Sequence, residues 1–447
     1  MSYIITKITA VLLCTMLLAS CSGEKDTEEL LGQVEQYTKE TAEVSDYAYQ
    51  KELGAWLAPE TEYHYEEADD RSDHIVNLLT ENSHNLQKDK LYFTINNQVN
   101  ENAERADMLA YVSLRTGEKY YACPDPLCPH TSDSGCLFQN SGTLTFDGSS
   151  SDIAYEVRVY DFSSDGIYRT DFNQNMIQLL YPVNPVDPDA YYTSCNIQFI
   201  SGDQLYFLEN VSYHSKDEEG NTITTYKKSM KSLNLTDGTV ETLNDQITEY
   251  FDCKYSNGEK LFFVNYDTKQ FYMTDMDFAD KQTILALEET QQFGSMFYDT
   301  LENAFYLGIS DDAGERTGKI LRINQDYQCE EIPLPSDRIL SFQLTDNYIY
   351  YTVYDPVVYG TSPRSGATVD ESGSKIYRTP RSNPTEGELV FDGKGELFFM
   401  SYIVTGNYLY LDHCSLIEEG GFTWFRRMGS TMRVNFAEGT LKWLNLD

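Results

Sequence analysis

"GDQLYFLENVSYHSKDEEGNTITTYKKSMKSLNLTDGTVETL" (residues 202–243) holds two phrases that recur along the whole chain. The first is a polar turn, Gly202-Asp203-Gln204, running into the apolar and aromatic stretch Leu205-Tyr206-Phe207-Leu208. The second, after an insertion, is the alternating Ser232-Leu233-Asn234-Leu235, which ends in the turn residues Thr236-Asp237-Gly238. Alternation with period two, rich in aromatics and bounded by Gly and Asp, is the pattern of paired β-strands. The first phrase returns at LYF (91–93), IAYEV (153–157), LFFV (261–264), AFYL (304–307), YIYYT (348–352) and YLYL (408–411). The second returns at MLAYVSLRTGE (108–118), GIYRTDFNQN (166–175), FYMTDMDF (271–278), ILRINQDYQ (320–328), KIYRTPRS (375–382) and MRVNFAEGT (432–440).

The heads of these units lie 43 to 62 residues apart. Seven paired phrases at that period predict an all-β, seven-bladed β-propeller, each unit supplying one four-stranded blade. Eight blades would follow if residues 71–90 contributed more than one strand. In an up-and-down blade, the loops between second and third strands leave the same face as the blade-to-blade connections. The first phrase reads as a second strand and the second phrase as a third strand. The longest insertions, 209–228, 353–374 and 412–430, fall between them and therefore decorate one face. Insertions gathered on one face of a repeat array mark a binding face. Their aromatics Tyr213, Tyr226, Tyr354, Tyr359, Trp424 and Phe425 offer apolar platforms with polar edges, suited to protein or sugar partners; capping of the blade ends is the plainer use of the same residues.

The chain begins MSYIITKITAVLLCTMLLASCSGEKD. Lys7 precedes an apolar run from Ile8 to Leu18, which ends in Leu18-Ala19-Ser20-Cys21. This is the pattern of a secretory signal, and the small residues before a cysteine resemble the bacterial lipobox. The expectation is a lipoprotein signal peptide over 1–20 and lipidation of Cys21. Each buried methylene of a lipid chain contributes about 0.8 kcal/mol, so two or three chains hold a domain on a membrane. Residues 21–70 read as an acidic, partly helical tether, with Leu30, Leu31, Val34 and Tyr37 at helical spacing. The propeller occupies 71–447. The predicted address is a cell membrane, lipid-anchored, with the domain facing outside the cytoplasm.

Charge narrows the partners. The chain carries a formal net charge of −38. Residues 1–20 contain one lysine and no acid, so the chain from Cys21 onward carries −39. Nucleic acid, bound by neutralising phosphates with Lys and Arg, is excluded as a partner class. The surplus reads as solubility at a crowded surface.

"CPDPLCPHTSDSGC" (123–136) packs three of nine cysteines and one of six histidines into fourteen positions. Three thiolates and an imidazole, from Cys123, Cys128, His130 and Cys136, make a complete tetrahedral set for a structural zinc. Pro124, Pro126 and Pro129 restrict the unbound loop, and Gly135 permits a tight last turn. A disulfide is the competing reading outside the cytoplasm, with Cys195 available as a partner; a reactive thiol is the third. Together with Leu137-Phe138, this stretch resembles the Cys-x-Asp-Pro-Leu-Cys-x-His…Cys-x-Phe signature of uncharacterised propeller lipoproteins from Gram-positive anaerobes. Those proteins are similar to a family of domains of unknown function with a YWTD-like propeller architecture. The matching positions are Cys123, Asp125, Pro126, Leu127, Cys128, His130 and Cys136. The resemblance implies the fold and a cell-surface address, and an anaerobic source would favour thiolates and metal over disulfides. The YWTD tetrapeptide itself is absent.

No catalytic set emerges. Gly-x-Ser-x-Gly, phosphate-loop and dinucleotide patterns are missing. Acidic runs such as Asp217-Glu218-Glu219 lack calcium-loop spacing, and His64 and His74 read as solvated among carboxylates. Cys253, Cys329 and Cys414 read as small buried hydrophobes in or beside strands. The first functional reading is a binding or scaffold propeller that recognises a protein, peptide or glycan. The alternative is a glycan-active hydrolase or lyase with two carboxylates at the channel mouth; metal sensing or storage through the cysteine run comes third.

Overall fold

The computed structural model describes most of residues 58–444; the larger stretches outside it are 1–57, 64–73, 99–104, 129–135, 184–189, 354–359 and 362–367. The predicted signal peptide, Cys21 and the tether helix lie outside the described residues. The chain divides into two compact units, 1–59 with 439–441, and 60–438 with 442–447. The described part of the first is a parallel ladder in which Ala58 pairs with Thr440 and Pro59 with Leu441.

The second unit is the seven-bladed β-propeller. Its blades span 84–121, 145–182, 190–247, 252–286, 291–331, 339–392 and 398–438 with 442–444, each an antiparallel sheet in chain order. Every predicted second and third strand is found in its expected place. Blade 2 is the least regular: its second, third and fourth strands pair (153–160, 163–171, 176–182), and the first-strand position holds a single bridge between Thr145 and Tyr155. The third-to-fourth turns repeat one piece of chemistry. Asp171, Asn234, Asn324 and Asn435 each accept backbone N–H groups from the residues two to four positions on. An Asx side chain that satisfies its own turn in this way explains why Asp or Asn ends these phrases.

The core lies between blades. Leu91, Phe93, Met108 and Ala110 of blade 1 pack with Ile403, Tyr408, Tyr410 and Leu444 of blade 7, which closes the ring. Between blades 4 and 5, Phe305 lies 4.7 Å from Phe262 and meets Phe271 edge-on at 5.1 Å. Truncating one such buried ring to alanine costs about 3–5 kcal/mol. Blades 6 and 7 are joined by Tyr402, whose buried hydroxyl donates to Tyr350 O at 3.2 Å.

Two readings of the sequence change. Residues 71–90 supply no eighth blade. His84–Gln87 is the first strand of blade 1, whereas Ile75–Asn77 pairs antiparallel with the first strand of blade 5, Gln291–Asp299. Leu78 N donates to Met296 O, and Thr300 N to His74 O, both at 2.9 Å. First strands line the axis of a propeller, so the chain runs along the inner edge of blade 5 before it begins blade 1. Insertion 209–228 is no loop either. Gln204–Lys216 and Thr222–Asn234 pair without a break from Gln204↔Asn234 to Lys216↔Thr222. Blade 7 is lengthened alike, with Tyr408–Glu419 and Phe422–Asn435 paired out to Glu419↔Phe422. In blade 6 a two-residue ladder, Gly360–Thr361 with Thr368–Val369, sits inside the insertion.

Candidate metal centre and decorated face

The cysteine run leaves the fourth strand of blade 1, so it emerges on the face that carries the extensions. One residue pins both its ends. Ala122 N donates to Leu109 O at 3.0 Å, and Leu109 N donates to Phe138 O at 3.2 Å. Phe138 is fully buried and packs on Phe172. Within the run, Asp125 builds the first turn: its carbonyl accepts from Cys128 N (3.2 Å) and its side chain from Leu127 N (2.9 Å). That turn folds Cys128 back toward Cys123 and leaves Leu127 89% exposed at its tip.

The sulfurs of Cys123, Cys128 and Cys136 all lie within 4.8 Å of one another. Among the described residues this is the one group of three or more such ligands at metal-binding distance. Thiolates about 2.3 Å from a tetrahedral zinc stand roughly 3.8 Å apart, so a small contraction would complete the set. Burial raises the Cys123 thiol, against hydrogen bonds from the Asp125 backbone and Cys136 that lower it, and burial with the neighbouring thiols Cys128 and Cys123 pushes Cys136 up to about 12. Cys123 and Cys136 are thus held toward the neutral thiol, and a divalent ion would compensate the charge of their thiolates. The donors fit a thiolate-binding metal. His130, the predicted fourth ligand, lies outside the described residues.

The other cysteines separate from this group. Cys195, the suggested disulfide partner, lies in the core between blades 2 and 3. Cys253 and Cys414 are buried as expected, whereas Cys329 is exposed on the outermost strand of blade 5. No disulfide joins any of the described cysteines.

The aromatics of the decorated face do not form one platform in blade 3. Tyr226 pairs with Ser212 and Tyr213 with Thr225, so the two tyrosines lie on opposite sides of the hairpin. Tyr226 is 67% exposed. On the same side, His214 stacks at 3.8 Å on Tyr191, an exposed residue at the bulge of the first strand. Trp424 and Phe425 pair with Ile417 and Leu416 in the blade 7 extension. Tyr354 and Tyr359 lie outside the described residues.

On the opposite face, sequence reasoning missed a charged cluster. His74, taken as solvated, has its Nε2 3.4 Å from Asp346 and 3.8 Å from Asp299. Asp299 also accepts from Leu301 N, Glu302 N and Arg381, and this guanidinium holds its carboxyl below the usual range despite burial. These residues come from separate blades and from the strand before blade 1, which leaves no local signature to read.

The chain matches no protein-family profile and no curated protein. Among solved structures it is similar to the β-propeller domain of the Trilobed protease from Pyrococcus furiosus, at 9% identity and TM-score 0.48, covering 85% of this chain and 96% of that one. It is similar to an acylaminoacyl peptidase from Pyrococcus horikoshii, at 9% identity and TM-score 0.46, covering 86% of this chain and 54% of the peptidase. It is also similar to an oligogalacturonate lyase from Vibrio parahaemolyticus, at 10% identity and TM-score 0.46, covering 80% and 94%. At such identities the likeness concerns fold, and function has to be argued from the site.

Proposed function

We propose that this chain is a lipid-anchored cell-surface propeller that binds a protein, peptide or glycan through its decorated face. Cys123, Cys128 and Cys136, with His130 as the fourth ligand, hold a structural zinc on that face. One observation carries the reading: the extensions of blades 3, 6 and 7 and the cysteine run all leave the same side of the ring. A closed four-ligand ion contributes folding energy and presents no open position to a substrate, so it stiffens the loop and leaves recognition to the extensions.

The test uses the full chain in detergent against glycan and peptide arrays. Binding should be lost when 353–374 or 412–430 is replaced by a short turn, and kept when the charges of the opposite face are removed. Binding that survives both loop replacements overturns the reading.

A glycan-active enzyme needs two carboxylates from different blades about 5–10 Å apart. Asp299 of blade 5 and Asp346 of blade 6 both face His74, at 3.8 and 3.4 Å, and are the carboxylates from different blades that the structure brings together there. Asp299 is only 1% exposed and is engaged by Arg381 and two backbone amides, so this pair supports a structural role in preference to acid–base chemistry.

A further inference from the structure

Among the described residues, strand pairing on the outer edge of blade 3 stops short of the end of its hairpin. The fourth strand, Val240–Ile247, reaches Lys228, where Ile247 pairs with it, and no described strand follows along the outer edge of Thr222–Lys227. On its inner edge the same segment is fully paired to the second strand. All six residues, Thr-Ile-Thr-Thr-Tyr-Lys, are exposed. Alternate N–H and C=O groups thus face outward along about 20 Å of strand.

Proteins usually blunt such an edge with proline, a bulge or inward charge. Thr222–Lys227 has none of these: its register is unbroken, and its one charge is Lys227 at the base. The tip is also rigid. Asp217 O accepts from Gly220 N, and the Asp217 side chain accepts from the amides of Glu219 and Asn221. A preformed edge loses little entropy when it is extended.

We propose that this edge pairs antiparallel with the same edge of a second copy of the chain, about a two-fold axis at Thr224. Directly opposed residues must share a face of the joined sheet, so the two copies pair residues whose numbers differ by an even count. Centring on Thr224 sets Thr224 against Thr224, Ile223 against Thr225, and Thr222 against Tyr226. These are β-branched and aromatic cross-strand pairs of the stabilising kind. The same register sets Lys227 of one copy beside Asn221 of the other, at the turn that carries Asp217 and Glu219. From Thr222 to Val240 the only acid is Asp237, in the turn beyond the third strand. In a chain of net charge −38, this edge can meet a second copy without acid facing acid, and its base and tip are complementary. The two blades would join into one eight-stranded sheet, with an isologous interface.

The experiment uses the full chain in detergent, in a Cys329→Ser background that removes the exposed thiol. Under mild oxidation Thr224→Cys should form a covalent dimer, since the two positions oppose each other across the axis, with at least tenfold the yield of Ser215→Cys on the inner strand. Sedimentation should show a mass that doubles with concentration, and Thr224→Pro should move the midpoint at least tenfold higher. The proposal is overturned by equal cross-linking at 224 and 215, by a monomer mass at every concentration, or by an unchanged midpoint in Thr224→Pro. A monomer whose edge instead captures another protein's strand also overturns it.

Discussion

Arg433, wholly buried at the end of the third strand of blade 7, is paired with Glu60, 373 residues earlier in the chain. Its guanidinium also donates to Gly117 O in blade 1 and lies 4.1 Å over the ring of Tyr63. Tyr63 in turn donates to Leu114 O. Residues read from sequence as the end of the tether are thus tied into the junction of the first and last blades.

Removing one partner of a buried ion pair strands the other charge, at a cost of about 3–5 kcal/mol, whereas an apolar replacement of both is often nearly neutral. Glu60→Ala should lower unfolding free energy by that amount in urea titrations. Glu60→Leu with Arg433→Met should recover most of it. Equal losses in Glu60→Ala and in the double variant would show that a stranded Arg433 charge is not the source of the cost.

The repeat was legible because each second strand keeps an apolar or aromatic phrase after a polar turn, as in Leu261-Phe262-Phe263-Val264, which is buried throughout. The blade 3 extension was hidden for the opposite reason: Thr222–Lys227 faces solvent on both sides, so no alternation marks it as strand. Ile75–Asn77 is short, and its pairing partner lies more than two hundred residues away. The cysteine triad was legible because its ligands are close in sequence. The His74–Asp299–Asp346 cluster was not, because blades 5 and 6 each supply one member through separate turns.

His413 provides a pH handle. It is buried against the edge of Trp443, its Nδ1 lies 2.9 Å from Ser430 Oγ, and burial lowers its pKa to about 4. The folded state keeps this imidazole neutral, while the unfolded chain binds a proton below about pH 6.5. Stability from this group is therefore full above pH 6.5 and falls as the pH drops toward 4. Between pH 7.5 and 5 the loss should be about 2 kcal/mol. His413→Phe should lack that component. The check is the difference between the two proteins' unfolding free energies across the range, which cancels the carboxylates they share; a difference independent of pH would refute the assignment.

Gly318 shows where a side chain cannot go. Its amide donates to Asp337 O at 2.7 Å, and a Cβ there would stand 1.8 Å from the backbone oxygen of Ile339. The obstacle is backbone of the neighbouring blade, so relief requires separating blades 5 and 6. Gly318→Ala should destabilise by about 1–3 kcal/mol or more. Gly202→Ala, at a position with no atom near its Cβ but a φ of +57°, should lose about 1 kcal/mol through backbone strain alone. Similar melting temperatures for the two variants would contradict the packing argument.

Asp125 lets the metal reading be tested apart from the thiols themselves. It donates nothing to the ion; it holds the turn that brings Cys128 back to Cys123. Residues that orient metal ligands typically contribute 10–100-fold in affinity. With cobalt as a spectroscopic probe on the full chain, Asp125→Ala should weaken binding by that factor and leave the thiolate charge-transfer band in place. Cys136→Ser should diminish the band itself. Because the thiols must lose protons on binding, apparent affinity in the unaltered chain should rise with pH from 6 to 8. A chain that binds cobalt with no thiolate band, or whose affinity ignores both Asp125 and pH, does not hold metal at this triad, and the loop would then have to be stabilised by its turn and by Phe138 alone.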